Sequence, residues 1–287
     1  MTDKTLSNTD FHTVITAKKR RFDINLKEIW RYRDLIWLFT KRNFILIYKQ
    51  TILGPAWIVL QPLMTTLIFT VVFGGIAGIA TDGVPQLLFY MGGTAVWTFF
   101  SGCLNKTSTT FVSNAAVYGK VYFPRLVTPI SNVLSSSVDF CVQLVMFLCF
   151  WVFYVITGQV NPNYWGIVLL PLVMLYLGLL SLGLGIIISS MTTKYRDLTL
   201  LVGFGVQLWM YITPVVYPVS GLDNGLLRTV VMINPVTCAV EAFRWMFLGS
   251  GSMDPINWVV SVATTVVLLF GGILIFNRVE KTFMDTV

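Results

Sequence analysis

The chain has 287 residues, of which 55% are hydrophobic and 11% are charged, and its mean hydropathy is +0.75. A soluble domain of this length carries about 25% charged residues, so the composition excludes an ordinary soluble enzyme and indicates a polytopic membrane protein. The apolar runs are continuous rather than alternating, which favours membrane-spanning helices over a β-barrel.

The formal net charge is +7, but the basic residues are not spread over one face. Eleven of the 20 Lys and Arg residues precede residue 50, and seven more lie near residues 106–125, 194–196 and 278–281. These clusters flank alternate apolar runs, which is the positive-inside pattern of a membrane protein rather than a nucleic-acid-binding face. We therefore expect no nucleic-acid partner, and both termini on the cytoplasmic side.

The sequence contains few of the residues and motifs that catalytic or metal sites require. His12 is the only histidine, and the four cysteines lack the spacing of metal ligands. Gly119-Lys120 lacks the preceding glycine and strand of a phosphate-binding loop. We expect no metal, no cofactor bound by this chain and no enzymatic activity, so the energy for any transport would come from a partner.

The N-terminal region divides into a polar tail, residues 1–23, and an amphipathic helix, residues 24–50. At 100° per residue around a helix, the basic and polar residues fall on one arc and the apolar residues on the other, and only Arg33 departs from this division. The basic and polar arc contains Lys27, Arg31, Asp34, Lys41, Arg42 and Lys49, and the apolar arc contains Leu26, Ile29, Trp30, Ile36, Trp37, Phe44 and Ile47. Such a helix is expected to lie along the cytoplasmic membrane interface.

Six membrane spans follow, which predicts an all-α fold. Their approximate ranges are 55–79, 87–103, 138–156, 164–190, 198–216 and 256–276. Asp139 and Gln143 begin the third span and could either face a pore or be hydrated at the interface. In the fourth span, Ser181, Gly185 and Ser189 recur every four residues and predict a close-packing face.

The loop between spans two and three contains a half-apolar, basic segment, residues 115–126, which we predict to be a short helix. Tyr118, Val121, Tyr122 and Phe123 stand beside Lys120 and Arg125. Pro124 and Pro129 are expected to interrupt it, because proline lacks an N–H and restricts the preceding residue. The segment could dock a soluble partner or rest on the lipid surface.

Between spans five and six, residues 218–249 contain two apolar pieces, 226–233 and 236–248, separated by Asn234-Pro235. Each is too short to cross a bilayer, so a re-entrant helical hairpin is predicted. The hairpin carries Arg228, Glu241 and Arg244. Glu241 and Arg244 are three residues apart and could pair on one helical face, either as a functional group or as an anchor at headgroup level.

Aromatic residues concentrate where spans one, two and five could meet. They are Phe69, Phe73, Tyr90, Trp97, Trp209, Tyr211 and Tyr217. Aromatic faces stack on the apolar faces of sugar rings and would suit a glycan path, although the same residues would also form an ordinary aromatic belt.

Several segments resemble the permease subunits of ABC-2-type polysaccharide exporters, which export O-antigen, capsule or teichoic-acid-type polymers. The similarity covers most of the chain from about residue 26 onward. The segments are LKEIWRYRDLIWLFTKRNF, LGPAWIVLQPL, YGKVYFPRLVTPIS (118–131), KYRDLTLLVGFGVQLWMYITPVVYPVSGL (194–222) and INPVTCAVEAFRWMFLG (233–249).

The resemblance implies a homodimer in the bacterial inner membrane that binds two copies of a separate ATPase subunit, which would hold ATP and Mg²⁺. The substrate would be a lipid-linked polysaccharide, sliding along the aromatic residues between the protomers. It implies three further sites. The first is a coupling helix that contacts the ATPase through Tyr118, Lys120, Tyr122, Phe123, Pro124 and Arg125. The second is an interface or gate helix with Trp30, Arg33, Trp37, Lys41 and Arg42. The third is an external gate formed by Arg228, Glu241 and Arg244.

Two other functions remain as alternatives. One is an ABC-2 exporter of lipids or small molecules. The other is a membrane-integral enzyme of glycan or lipid synthesis, which would need a cluster of carboxylates for a metal or a phosphate.

Overall fold

The computed structural model describes residues 26–49, 54–195, 197–223 and 225–283. The predicted polar tail, residues 1–23, lies outside them. Regular structure within the described residues is helical, which confirms the all-α class. The α-helices are α1 (Leu26–Arg31), α2 (Arg33–Tyr48), α3 (Trp57–Phe69), α4 (Gln86–Ser108), α5 (Thr110–Tyr118), α6 (Val127–Ile156), α7 (Tyr164–Ile167), α8 (Leu170–Thr192), α9 (Leu198–Ile212), α10 (Leu226–Ile233), α11 (Pro235–Leu248) and α12 (Pro255–Phe283).

Among the described residues, five helical segments are long and apolar enough to cross a membrane: α3 with its π-helical continuation Thr70–Ile76, α4, α6, α8 and α12. The predicted fifth span is the 15-residue helix α9. At 1.5 Å per residue it reaches about 22 Å, less than the ~30 Å hydrocarbon core. Helices α10 and α11 meet at an 86° bend, as a re-entrant hairpin would. The exact count of six spans stays a prediction.

Helix α6 begins earlier than expected. It starts at Val127 and runs for 30 residues, whereas the sequence pattern placed the start of the third span near residue 138. Pro129 occupies the third position of the helix, where the backbone N–H has no intrahelical acceptor and a proline is tolerated. The predicted interruption at Pro129 is therefore wrong, and only Pro124 lies in a non-helical segment.

Helix α4 is the centre of the helical packing. It contacts α3, α6, α8, α9 and α11. In an apolar stretch of 18 residues, 78% of the residues of α4 are buried, against 22% in the corresponding stretches of α3 with its continuation, α6 and α12. Two adjacent glycines make this enclosure possible. A Cβ on Gly93 would lie 2.8 Å from the carbonyl oxygen of Val215, and one on Gly92 would lie 2.9 Å from the Phe243 ring.

The predicted close-packing face of α8 is confirmed. A Cβ on Gly185 would lie 2.5 Å from Thr107 of α4, and the Ser189 hydroxyl accepts a hydrogen bond from the Phe111 backbone N–H at 3.2 Å. On another side of α8, Gly183 meets Gly272 of α12. Small residues let these helices approach closely, which is the main source of helix association in lipid.

The Gly183–Gly272 contact generates a stability test with a neighbouring control. Gly272→Ala should lower the Tm of the detergent-solubilised protein, because the new Cβ would lie 2.7 Å from the Gly183 carbonyl oxygen and overpacking costs about 1–3 kcal/mol. Gly271→Ala, one residue away in the same helix, meets nothing within 4 Å and should leave Tm unchanged or raise it slightly. Equal Tm values for the two variants would contradict the assigned contact.

Candidate functional site

The predicted N-terminal amphipathic helix consists of α1 and α2, which separate at Tyr32. Helix α2 packs on α6 and buries Ile36, Phe39 and Thr40. Trp30 and Trp37 point away from this contact and are 69% and 64% exposed. The predicted apolar arc is thus wider than the surface that packs on protein, and its two tryptophans remain exposed.

The basic residues of this helix differ in their surroundings. Arg42 donates to the Asn114 side chain of α5 at 3.2 Å, and its guanidinium lies 4.7 Å from the Phe39 ring. Lys41 is exposed, and Arg33 forms a long, exposed ion pair of 3.9 Å with the neighbouring Asp34. Arg42 therefore joins α2 to α5, whereas Lys41 and Arg33 remain at the surface.

The predicted helix over residues 115–126 is only partly helical. Helix α5 ends at Tyr118, Gly119 and Lys120 form a turn, and residues 121–124 have no regular structure before α6 begins. The prediction of a continuous helix to residue 126 is wrong. Pro124 disfavours helical geometry at Phe123, so the helix does not continue through this segment. Phe123 faces α2, where its ring contacts Phe39.

This loop has an inner and an outer side. On the inner side, the Phe123 ring lies 5.6 Å from Phe39 and 5.7 Å from Tyr118. The Tyr118 hydroxyl is hydrogen-bonded to Thr128, and the Arg125 guanidinium lies 5.4 Å from the Tyr118 ring.

On the outer side, Lys120, Val121 and Tyr122 are exposed, whereas Pro124 and Arg125 are half-buried. The six residues expected to contact an ATPase therefore do not form one surface. Lys120 and Tyr122 can reach a partner directly, and Tyr118 and Phe123 connect the loop to the helices behind it.

Five of the seven predicted aromatic residues form two groups along α4. Phe69 lies 5.4 Å from Phe73 and 6.5 Å from Tyr90. A second group is formed by Trp97 and Trp209, which both contact Phe100, at 5.6 and 5.2 Å. Span two thus contacts both span one and the predicted span five.

The accessibility of these rings varies. Tyr90 is fully buried and Trp97 nearly so, while Tyr211 is 53% exposed. Tyr217 donates to the Ile212 carbonyl at 3.0 Å. Partial burial raises the pKa of its phenol above the ordinary value, and the opposing effect of nearby Arg244 is smaller. Tyr90 thus contributes packing within the protomer, and Tyr211 presents the most open ring.

Glu241 and Arg244 pair as their spacing predicts, with 3.1 Å between Oε1 and Nη1, and their side chains are 6% and 1% exposed. Arg244 also donates to the backbone carbonyl of Val215 at 3.0 Å, and its guanidinium lies 3.7 Å from the Phe89 ring. Glu241 Oε2 accepts from the Ser252 N–H at 3.1 Å. One ion pair therefore ties α11 to α4 and to the segments on both sides of the hairpin.

Arg228 is not part of this cluster. It is half-buried on α10 and lines a shallow surface depression with Asp254 and Asn257. The three residues expected to form an external gate thus occupy two separate places.

A polar cleft of about 260 Å³ lies between α3, α4 and α6. Lys106 Nζ and Asp139 Oδ2 form an ion pair of 2.8 Å in its wall, and Gln143 Oε1 is buried without a hydrogen-bond partner. Gln61 and Trp97 also line the cleft. The sequence pattern identified Asp139 and Gln143 as candidates for a pore, but it gave no sign that Lys106 was the partner.

The sequence of the chain matches a known protein family. The family model described as ABC-2 type transporter matches residues 34–248. The chain belongs to this family. It is a multi-pass membrane protein and a transporter permease rather than an enzyme, and the resemblance seen in its segments is confirmed.

Curated relatives extend the comparison over nearly the whole chain. The chain is 26% identical over 252 residues to an O-antigen export system permease protein RfbA of Klebsiella pneumoniae, covering 88% of this chain and 94% of the relative. A protein of the same name from Myxococcus xanthus is 26% identical over 264 residues, covering 91% and 98%.

The buried ion pair can be tested by a double-mutant cycle. Arg244→Met should destabilise the protein by about 3–5 kcal/mol, because Glu241 would remain buried without its partner. The double variant Glu241→Met/Arg244→Met should be more stable than Arg244→Met alone, since no unpaired charge remains. Thermal unfolding in detergent measures these two variants and Glu241→Met alone, with Arg228→Met as the control on the same hairpin; a loss in the double variant equal to the sum of the two single losses would contradict a direct pair.

Proposed function

We propose that the chain is the membrane-spanning subunit of an ATP-driven exporter that moves a lipid-linked, O-antigen-like polysaccharide from the cytoplasmic side across the bacterial inner membrane. The observation that carries this proposal is the similarity to O-antigen export permeases over 88% and 91% of the chain. It includes the loop, the hairpin and the cleft, all of which lie within the aligned family domain.

The energy source in this proposal is a separate ATPase subunit, present in two copies, that binds ATP and Mg²⁺. It would contact the outer side of the cytoplasmic loop, where Lys120, Val121 and Tyr122 are exposed. The chain continues from this loop into α6, and Phe123 contacts Phe39 of α2. A displacement of the loop would therefore move α6 and α2 together.

The permease would act as a homodimer with both termini in the cytoplasm. The outward surfaces of α9 and of the α3 segment are apolar. They include Leu200, Leu201, Phe204, Leu208 and Tyr211 on α9, and Ile68, Val71 and Ile76 on the α3 segment. Two copies that meet through these surfaces would place Tyr211 at the path between them. Trp30 and Trp37 would hold α1 and α2 in the headgroup layer, beside the entry of the lipid-linked substrate.

A second candidate function is export of a lipid. An apolar groove of about 770 Å³ lies mainly between α6 and α8, with Leu134, Leu144 and Met174 among its lining residues. A hydrocarbon chain would fit such a groove. The polysaccharide proposal accommodates this observation, because the exported polymer carries a lipid of its own.

Removal of the chain from its host distinguishes these functions. We expect the polysaccharide to disappear from the cell surface and to accumulate inside as a lipid-linked polymer, and re-expression of the chain should restore export. Extraction and electrophoresis of surface and intracellular glycans measure both pools. Unchanged surface polysaccharide, with an intracellular accumulation of lipid alone, would favour the lipid exporter instead.

Tyr122 provides a test of the ATPase contact. Tyr122→Ala should reduce co-purification with the ATPase severalfold while leaving the Tm of the permease unchanged, because the side chain is 62% exposed and its removal opens no cavity. Tyr164→Ala is the matched control, since Tyr164 is 63% exposed and is the first residue of α7, on the opposite side of the predicted membrane. Equal co-purification of both variants would remove Tyr122 from the contact.

A further inference from the structure

The cleft between α3, α4 and α6 has the composition of a binding site. Its described lining includes one cation, Lys106, and one anion, Asp139, which neutralise each other in the ion pair. Gln61, Thr65, Thr94 and Thr98 add neutral polar groups, and Trp57, Trp97, Phe99 and Phe140 add aromatic surface. Ligand sites characteristically combine apolar walls with a few converging polar groups.

Gln143 adds to the cleft a polar atom that has no hydrogen-bond partner within the protein. Its side chain is 4% exposed, yet its Oε1 has no hydrogen-bond partner. A buried polar atom without a partner is costly, and native proteins satisfy nearly all of them. An acceptor that lines a cleft and lacks an internal partner is suited to a donor from a ligand.

We propose that this cleft binds one sugar ring of the exported polymer. The Lys106 ammonium and the Asp139 carboxylate would bind ring hydroxyls, Gln143 Oε1 would accept from another, and Trp97 would present apolar surface to the ring. At ~30 Å³ per water molecule, the volume corresponds to about nine waters, which leaves room for a single ring. The proposal rests on the proposed function and names residues that would select the sugar.

The charge balance favours a neutral sugar over the phosphate of a lipid headgroup. A site for phosphate needs excess positive charge or several converging N–H groups. Here the ammonium already lies 2.8 Å from a carboxylate oxygen, so an incoming phosphate would meet Asp139 at short range. Hydroxyl groups can instead donate to the carboxylate and accept from the ammonium.

The cleft is placed between the loop and the centre of the helical bundle. Lys106 lies two residues before the end of α4, beside the loop that is proposed to contact the ATPase. Thr94 is twelve residues earlier on the same helix, about 18 Å away at 1.5 Å per residue. A sugar held here would have entered from the cytoplasmic side.

Gln143→Leu tests the proposal on the permease–ATPase complex reconstituted in lipid nanodiscs. Saturation-transfer NMR with a panel of methyl hexosides should detect binding of at least one glycoside to the wild type, weakened about three- to tenfold in the variant by the loss of one hydrogen bond. The Tm should stay equal or rise, because the substitution removes an unsatisfied buried atom.

Thr265→Val is the control, since Thr265 is also buried but donates to Ser261 within α12, and it should bind the glycoside as the wild type does. Equal binding by Gln143→Leu and wild type would overturn the subsite, as would the absence of glycoside binding to the wild type. Such a result, together with loss of surface polysaccharide when the chain is removed, would refute the subsite and leave the exporter intact. Unchanged surface polysaccharide would refute the exporter, whatever the cleft binds.

Discussion

The enclosure of α4 is the constraint on which the rest of the structure depends. Lipid tails are as apolar as leucine, so helices in a bilayer gain little from hiding hydrophobic surface and associate through close packing and hydrogen bonds. Here that packing relies on missing side chains: Gly92 and Gly93 admit Phe243 and Val215, and Gly185 of α8 admits Thr107. The cleft, the aromatic groups and the ion pair of the hairpin are all positioned by their contact with this helix.

The two ends of the bundle are fixed by different chemistry. At the hairpin, a fully buried ion pair and its backbone partners join α11 to the start of α4. Near the loop between α4 and α6, contacts are made by neutral amides and aromatic rings, as in the Asn43–Asn132 hydrogen bond of 2.8 Å and the tilted contact between the Phe39 and Phe123 rings. Breaking the first arrangement leaves a buried charge, whereas the second can rearrange at smaller cost. The loop end is therefore the end suited to movement.

Sequence periodicity predicted what depends on local spacing. The helical class, the small-residue face of α8 and the Glu241–Arg244 pair follow from residues three or four apart. It failed where distant segments decide the outcome. The Lys106–Asp139 pair joins residues 33 positions apart, and no local pattern encodes the relative rotation of two helices. Likewise, Trp37 shares an apolar arc with Ile36, but the width of the contact with α6 decides which of them is buried. Pro129 was misjudged because its effect depends on its position within the helix.

Helix α6 has mechanical consequences. Its 30 residues contain no glycine, and its one proline lies in the first turn, so glycine and proline introduce no kink in its interior. At 1.5 Å per residue it is about 45 Å long and begins at the loop that follows α5. A tilt of about 5° at that base would move the far end by about 4 Å and Asp139 by about 1.5 Å. A small movement of the loop at the start of α6 would therefore be enough to open or close the Lys106–Asp139 ion pair in the wall of the cleft.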